Sequence, residues 1–105
     1  MTVLELYAAR STRYQDAVMI DICDLELIGK SLEQNGLVIN LTKEYYQQEI
    51  IGPTRAEEML QKCAIANLVG DRIVGHAISM KMAKEASIKR ISGVPFLMIY
   101  KFQHG

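Results

Sequence analysis

Cysteine and histidine are scarce in this 105-residue chain, which holds two of each: Cys23, Cys63, His76 and His104. There is no C-x-x-C pair. A zinc site would need Cys23, Cys63 and His76 to converge without any local spacing signature. The two cysteines, far apart in sequence and each in apolar surroundings, read as buried, reduced thiols of a cytosolic protein. Neither a metal site nor a cofactor is expected. Long apolar runs are also missing: no segment approaches the roughly 20 residues that cross a bilayer. The opening MTVLELYAAR has Glu5 inside its apolar run and no basic leader, so it does not read as a signal peptide. Repeats, low-complexity tracts and linkers are lacking too. The expectation is a single cytoplasmic domain over residues 1–105 with one modest core.

An excess of either charge is absent as well, with 12 Lys and Arg against 12 Asp and Glu. The whole chain is therefore no strong polyanion binder, and neither DNA nor a membrane is an expected partner. The balance hides an asymmetry. Between Gln15 and Leu60 lie nine acidic residues and three basic ones. From His76 onward come Lys81, Lys84, Lys89, Arg90 and Lys101 against Glu85 alone. A patch acts over about a Debye length, roughly 8 Å at physiological salt, so a local basic surface is compatible with zero net charge. The plainer reading makes these lysines the solvated face of a helix.

Gly29-Lys30-Ser31 matches the end of the phosphate-binding loop G-x-x-x-x-G-K-[ST]. The loop's first glycine, which turns backbone N–H groups onto a phosphate, would fall on Asp24. Asn35-Gly36, a turn signal, follows too soon for the required helix. The triplet is better read as the end of a short turn carrying Leu25, Leu27 and Ile28, with Asp24 as its N-cap.

Along the chain, TVLELYA and AVMIDIC read as strands, the first starting at Val3 or Leu4, joined through polar RSTRYQD into an antiparallel hairpin. LVINLT after Asn35-Gly36 reads as a third strand. KEYYQQEIIG is ambiguous between helix and strand. Pro53 opens a helix in PTRAEEMLQKCAIANLVG, with Thr54 and Glu57 as a capping box. Its apolar positions Ala56, Met59, Leu60, Cys63 and Ala64 recur at helical spacing. Asn67 is expected to cap a second helix that carries Asp71 in its first turn. That helix runs to about Ala86 and buries Ile73, Val74, Ala77 and Ile78, with a close helix contact at Gly75. Ser92 to Pro95 form a turn, and Phe96 to Phe102 a last strand. The order β-β-β-α-α-β predicts an α+β fold: a mainly antiparallel sheet of about four strands with helices packed on one face.

CDLELIGKSL, GLVINLTKEYY, AIANLVGDRIV and RISGVP, in this order and spacing, resemble the archaeal family known as domain of unknown function 424. The resemblance covers about Ala17 to Phe102, and ANLVGDR and GVP are its most specific words. It implies a small single-domain archaeal protein without established activity, whose genes tend to lie near translation genes. The sequence departs from the family at two places. Phe96 follows GVP where the family commonly has histidine, and Tyr46-Gln47-Gln48-Glu49 stands for a Tyr-Gly-Gly-Glu-like word. A phenyl ring can neither titrate nor bind a metal, and keeps only stacking or packing.

Two groupings remain as candidate sites. Asp24 and Glu26 beside Lys30, with Asn67 and Asp71, would suit a small enzyme or a metal-binding domain. Asp21 is expected to point away from them by strand alternation. Exposed N–H groups at the helix start near Asn67, with Arg72 nearby, would suit a phosphate, though Asp71 opposes one. Lys81, Lys84, Lys89, Arg90 and Lys101, extended by His104, would suit RNA backbone or a protein partner. Tyr100 and Phe102 alternate with Lys101 and are expected in the core, not on a stacking platform. The expectation is a non-enzymatic binding protein with no catalytic residues. It would dock through its basic C-terminal half on the ribosome, ribosomal RNA or a translation factor.

Overall fold

The computed structural model describes residues 5–101. Its centre is a six-stranded mixed sheet in the order β5-β1-β2-β6-β8-β7. In chain order the strands are β1 (Tyr7–Tyr14), β2 (Ala17–Asp24), β3 (Ser31–Gln34), β4 (Leu37–Asn40), β5 (Glu49–Ile51), β6 (Ile65–Val69), β7 (Lys89–Ile91) and β8 (Val94–Tyr100). The helices are α1 (Lys43–Tyr46), α2 (Pro53–Lys62) and α3 (Asp71–Ser79). The fold is mixed α/β, and the expected sheet of about four strands is corrected to six. Most of its pairings are antiparallel, as expected, but its central pair, β2 and β6, is parallel.

The extra strands come from segments whose pattern misleads. Ile65–Val69 is a near-continuous apolar run that extends a helical pattern in sequence. Such a run cannot be told from a helix by periodicity when the strand is buried on both faces. Here Ala66 and Leu68 pack toward the helices and Val69 toward the opposite side, all buried. Asn67 therefore lies in β6 and caps no helix. Arg10 to Tyr14, read as a polar link, are the outer half of β1, and the turn is only Gln15-Asp16. The ambiguous KEYYQQEII divides into α1 and β5. Thr42 caps α1, its Oγ1 accepting from Tyr45 N–H at 3.2 Å.

The hairpin of β1 and β2 forms as expected. Asn35-Gly36 does make the turn before LVIN, but β4 pairs with β3 in a separate two-stranded ribbon. Asn35 and Gly36 have φ of 52° and 84°, and Ser92 and Gly93 have 50° and 80°. Both are hairpin turns of the mirror-image kind that matches strand twist. The second turn is just Ser92-Gly93, so Pro95 sits inside β8. The ribbon is tied to this turn, since Gln34 Oε1 accepts from Ser92 N–H at 2.8 Å.

Helices α2 and α3 pack on one face of the sheet. Ala56, Met59 and Leu60 of α2 and Ile73, Val74 and Ala77 of α3 meet Tyr7, Ile20, Ile22, Leu68, Leu97 and Ile99. Helix α2 starts with Gly52 as N-cap and Pro53 at its first position, so the expected capping box of Thr54 and Glu57 is not formed. Helix α3 stops at Ser79, short of Ala86. Gly75 is exposed, with nothing near the place a Cβ would take, so no close contact explains it. The first expected strand begins at Tyr7; Val3, Leu4, Phe102 and His104 lie outside the described residues.

Candidate functional site

The sheet face opposite α2 and α3 is only partly covered. The β3–β4 ribbon and Tyr46 of α1 close one end over Cys23, Leu32, Leu41, Val69 and Phe96. The rest stays open: Met98 and Tyr100 of β8 are 53% and 55% exposed. Tyr100 is thus not a core residue as alternation suggested, because none of the described elements packs over it. A cleft of about 530 Å³ runs along this face. Its wall includes Asp21, Tyr45, Tyr46, Asn67, Lys89, Phe96 and Met98. Strand register sets Arg10, Asp21, Asn67 and Met98 side by side across β1, β2, β6 and β8.

Asp21 is 2% exposed. Its carboxylate accepts from the Tyr45 hydroxyl at 3.3 Å and from the Asn67 amide. It forms no ion pair among the described residues; the Arg10 guanidinium instead stacks on the Tyr45 ring, 4.9 Å from its centroid. Burial pushes the Asp21 carboxyl above its ordinary range, against the pull of the Asn67 and Tyr45 hydrogen bonds and Arg10. The same burial, aided by Cys23 and Asp21, pushes the Tyr46 phenol up, so it is neutral at physiological pH.

Asp24, the other buried carboxylate, faces the helix side, as strand alternation requires, and is engaged by the fold. Its oxygens accept from the backbone N–H of Arg72 and of Ile73, each at 2.9 Å, at the start of α3. It caps that distant helix and not the short turn Leu25–Leu27 that follows it. Glu26 takes the Arg72 guanidinium on both oxygens, with Nε at 3.0 Å. Arg72 also donates to Leu6 C=O at 2.9 Å and lies over the Tyr7 ring. Asp71 is exposed and reaches Arg90 at 3.9 Å. The carboxylates gathered as one acidic site are thus separated: Asp24 and Glu26 hold α3, while Asn67 joins Asp21 on the open face. Both oxygens of Asp24 already occupy the first N–H groups of α3, where a phosphate would sit. The turn at Gly29 leads into β3, not a helix.

Cys23 and Cys63 are free and buried in different clusters, one on each side of the sheet, and do not meet. Burial pushes the Cys23 thiol up to about 12, which makes it a poor nucleophile.

The five basic residues do not form one stripe on a helix, because α3 ends before them. Lys81 and Lys84 lie on the exposed segment between α3 and β7. Lys89 and Arg90 are neighbours on edge strand β7, pointing to opposite faces: Lys89 borders the cleft and Arg90 reaches Asp71 on the helix side. Lys101 donates to the C=O groups of Leu60 and Gln61, the latter at 2.8 Å, and so finishes α2. It lies about 17 Å along β8 from Phe96, the register partner of Lys89. Residue type marked Lys89. What sequence reasoning missed was Asp21 with Tyr45, because a strand carboxylate gives no sign of which face is open.

No helix among the described residues is long and apolar enough to cross a membrane. The model of the family described as "Protein of unknown function (DUF424)" matches residues 12–102, and the chain belongs to that family. A solved structure, described as that of an uncharacterized conserved protein from Methanopyrus kandleri, is similar at TM-score 0.76 and 22% identity. The alignment covers 95% of this chain and 99% of that one, and it shows a shared fold. No curated protein matches the chain. Phe96 forms part of the cleft wall and Tyr46 stands at its closed end, while Gln47 and Gln48 lie outside its lining.

Proposed function

We propose that this member of the DUF424 family is a cytoplasmic, non-enzymatic binding protein of the translation machinery. It docks on a ribosome or other ribonucleoprotein through its C-terminal strands. The observation that carries the reading is the partly uncovered sheet face opposite α2 and α3, on which β8 exposes Met98 and Tyr100 and Lys89 of β7 borders the cleft. Flat apolar side chains bordered by cations suit single-stranded RNA, whose bases stack and whose phosphates attract lysine. Lys81, Lys84 and Arg90, exposed on and before the same edge strand, add to the field that such a partner meets. Lys101, occupied with α2, belongs to the fold more than to the contact.

Charge reversal tests it. Lys89→Glu combined with Arg90→Glu is expected to weaken association with purified ribosomal subunits at least about tenfold. The thermal unfolding midpoint should stay put, because both side chains are exposed and the Arg90–Asp71 pair is a surface one. Association that is unchanged and insensitive to salt would reject the basic edge as the contact.

A further inference from the structure

We propose that the cleft over Asp21 is a guanine-recognition site, in which the Asp21 carboxylate takes the Watson–Crick edge of one unpaired guanine. The inference rests on the reading of an RNA-bearing partner and names the base that this face selects.

Two carboxylates are buried among the described residues, and only one caps a helix. Asp24 caps α3 with both oxygens. Asp21 caps nothing and pairs with no cation, yet it is 2% exposed on a sheet face that is otherwise open. Burying a carboxylate without an ion pair costs stability, and the long bond to Tyr45 offsets little of that cost. A carboxylate has about four lone-pair positions and is acceptor-only. Tyr45 and Asn67 fill two of them. The remaining capacity calls for a ligand with adjacent donors.

Among the four RNA bases only guanine offers that pattern, N1–H beside N2–H₂. Adenine and cytosine place a ring acceptor next to the amino group, and uracil flanks its one N–H with two carbonyls. A carboxylate facing either would meet repulsion beside any bond it made. The cleft suits a flat, partly apolar guest. Its volume of about 530 Å³ is within the range of small-ligand sites. Phe96, Met98 and Tyr46 supply apolar wall, and Lys89 stands at the rim for a phosphate. Tyr45 is the cover. Tyr45 is 44% exposed and its hydroxyl bond to Asp21 is long, so a rotation of this one side chain opens the carboxylate.

The test is anisotropy titration of labelled pentamers UUGUU, UUAUU, UUCUU, UUUUU and UUIUU, where I is inosine, at low salt. The expected result is UUGUU binding about tenfold more tightly than UUAUU or UUCUU. Inosine, which keeps N1–H and lacks the amino group, falls between. Asp21→Asn keeps the affinity for UUUUU and loses the preference for guanine, while Lys89→Ala weakens all five pentamers alike. Equal binding of every pentamer by the wild type would overturn the guanine site and leave RNA binding standing. An Asp21→Asn variant that retains the preference would overturn the assignment to this carboxylate. If no pentamer binds, the guanine site falls, and RNase-sensitive association with ribosomal subunits decides separately whether the wider reading falls with it.

Discussion

At the scale of single residues, two carboxylates three positions apart on β2 have opposite fates. Strand alternation alone decides it. Asp24 turns toward α3, where two backbone donors need an acceptor; Asp21 turns toward the face opposite α2 and α3, where it meets Tyr45 of the short helix α1. For Asp21 the linkage has a definite sign. Its carboxyl is raised above the ordinary 3.8 by burial, so the protonated form favours the folded state. The stability it contributes is complete below 3.8 and is lost as pH rises through its folded value. Asp21→Asn removes that loss. Urea unfolding should show the variant more stable by about 1 kcal/mol at neutral pH, with the difference vanishing toward pH 3. A variant less stable than wild type at neutral pH would mean that the carboxylate has a structural partner. The residue type was legible in the sequence and so was its strand. Its burial was not, because burial here depends on Tyr45 arriving from a helix 24 positions away.

At the scale of elements, the junction between β6 and α3 holds the fold's most exacting contact. Gly70 has φ of 117°, and a Cβ there would come within 2.4 Å of the Asp24 carboxyl group. Only glycine lets the carboxylate reach the N–H groups of α3. Gly70→Ala should therefore cost about 3 kcal/mol, from backbone strain together with loss of the cap. Equilibrium unfolding measures it, and Gly75→Ala, on the exposed side of α3, is the control, expected to stabilise slightly. The same junction explains what sequence could and could not give. The β1–β2 hairpin, the Asn35-Gly36 turn, the start of α2 at Pro53 and the buried Ile73, Val74 and Ala77 of α3 follow from local pattern. Strand β6 does not. Its apolar run reflects Ala66 and Leu68 under the helices and Val69 under the ribbon, and its parallel pairing with β2 spans more than forty positions of chain. Its partner in the sheet, and not its own sequence, makes it a strand.

At the scale of the whole molecule, the uneven cover of the sheet by the described residues matters most. Helices α2 and α3 satisfy one face, and the ribbon covers only an end of the other, so aromatic and apolar groups of β8 remain in solvent next to a basic edge strand. Charge asymmetry along the chain announced the edge; the open face became visible only once six strands, not four, were in place. Zero net charge makes nonspecific adhesion to RNA weak, so the proposed association would come from this one face and be specific. The most direct measurement is density-gradient sedimentation of native lysate, with the protein followed by immunoblot before and after RNase and high salt. Co-migration with a ribosomal subunit, lost under both treatments, is the predicted result. Sedimentation of all the protein as a free small chain in untreated lysate would contradict the account.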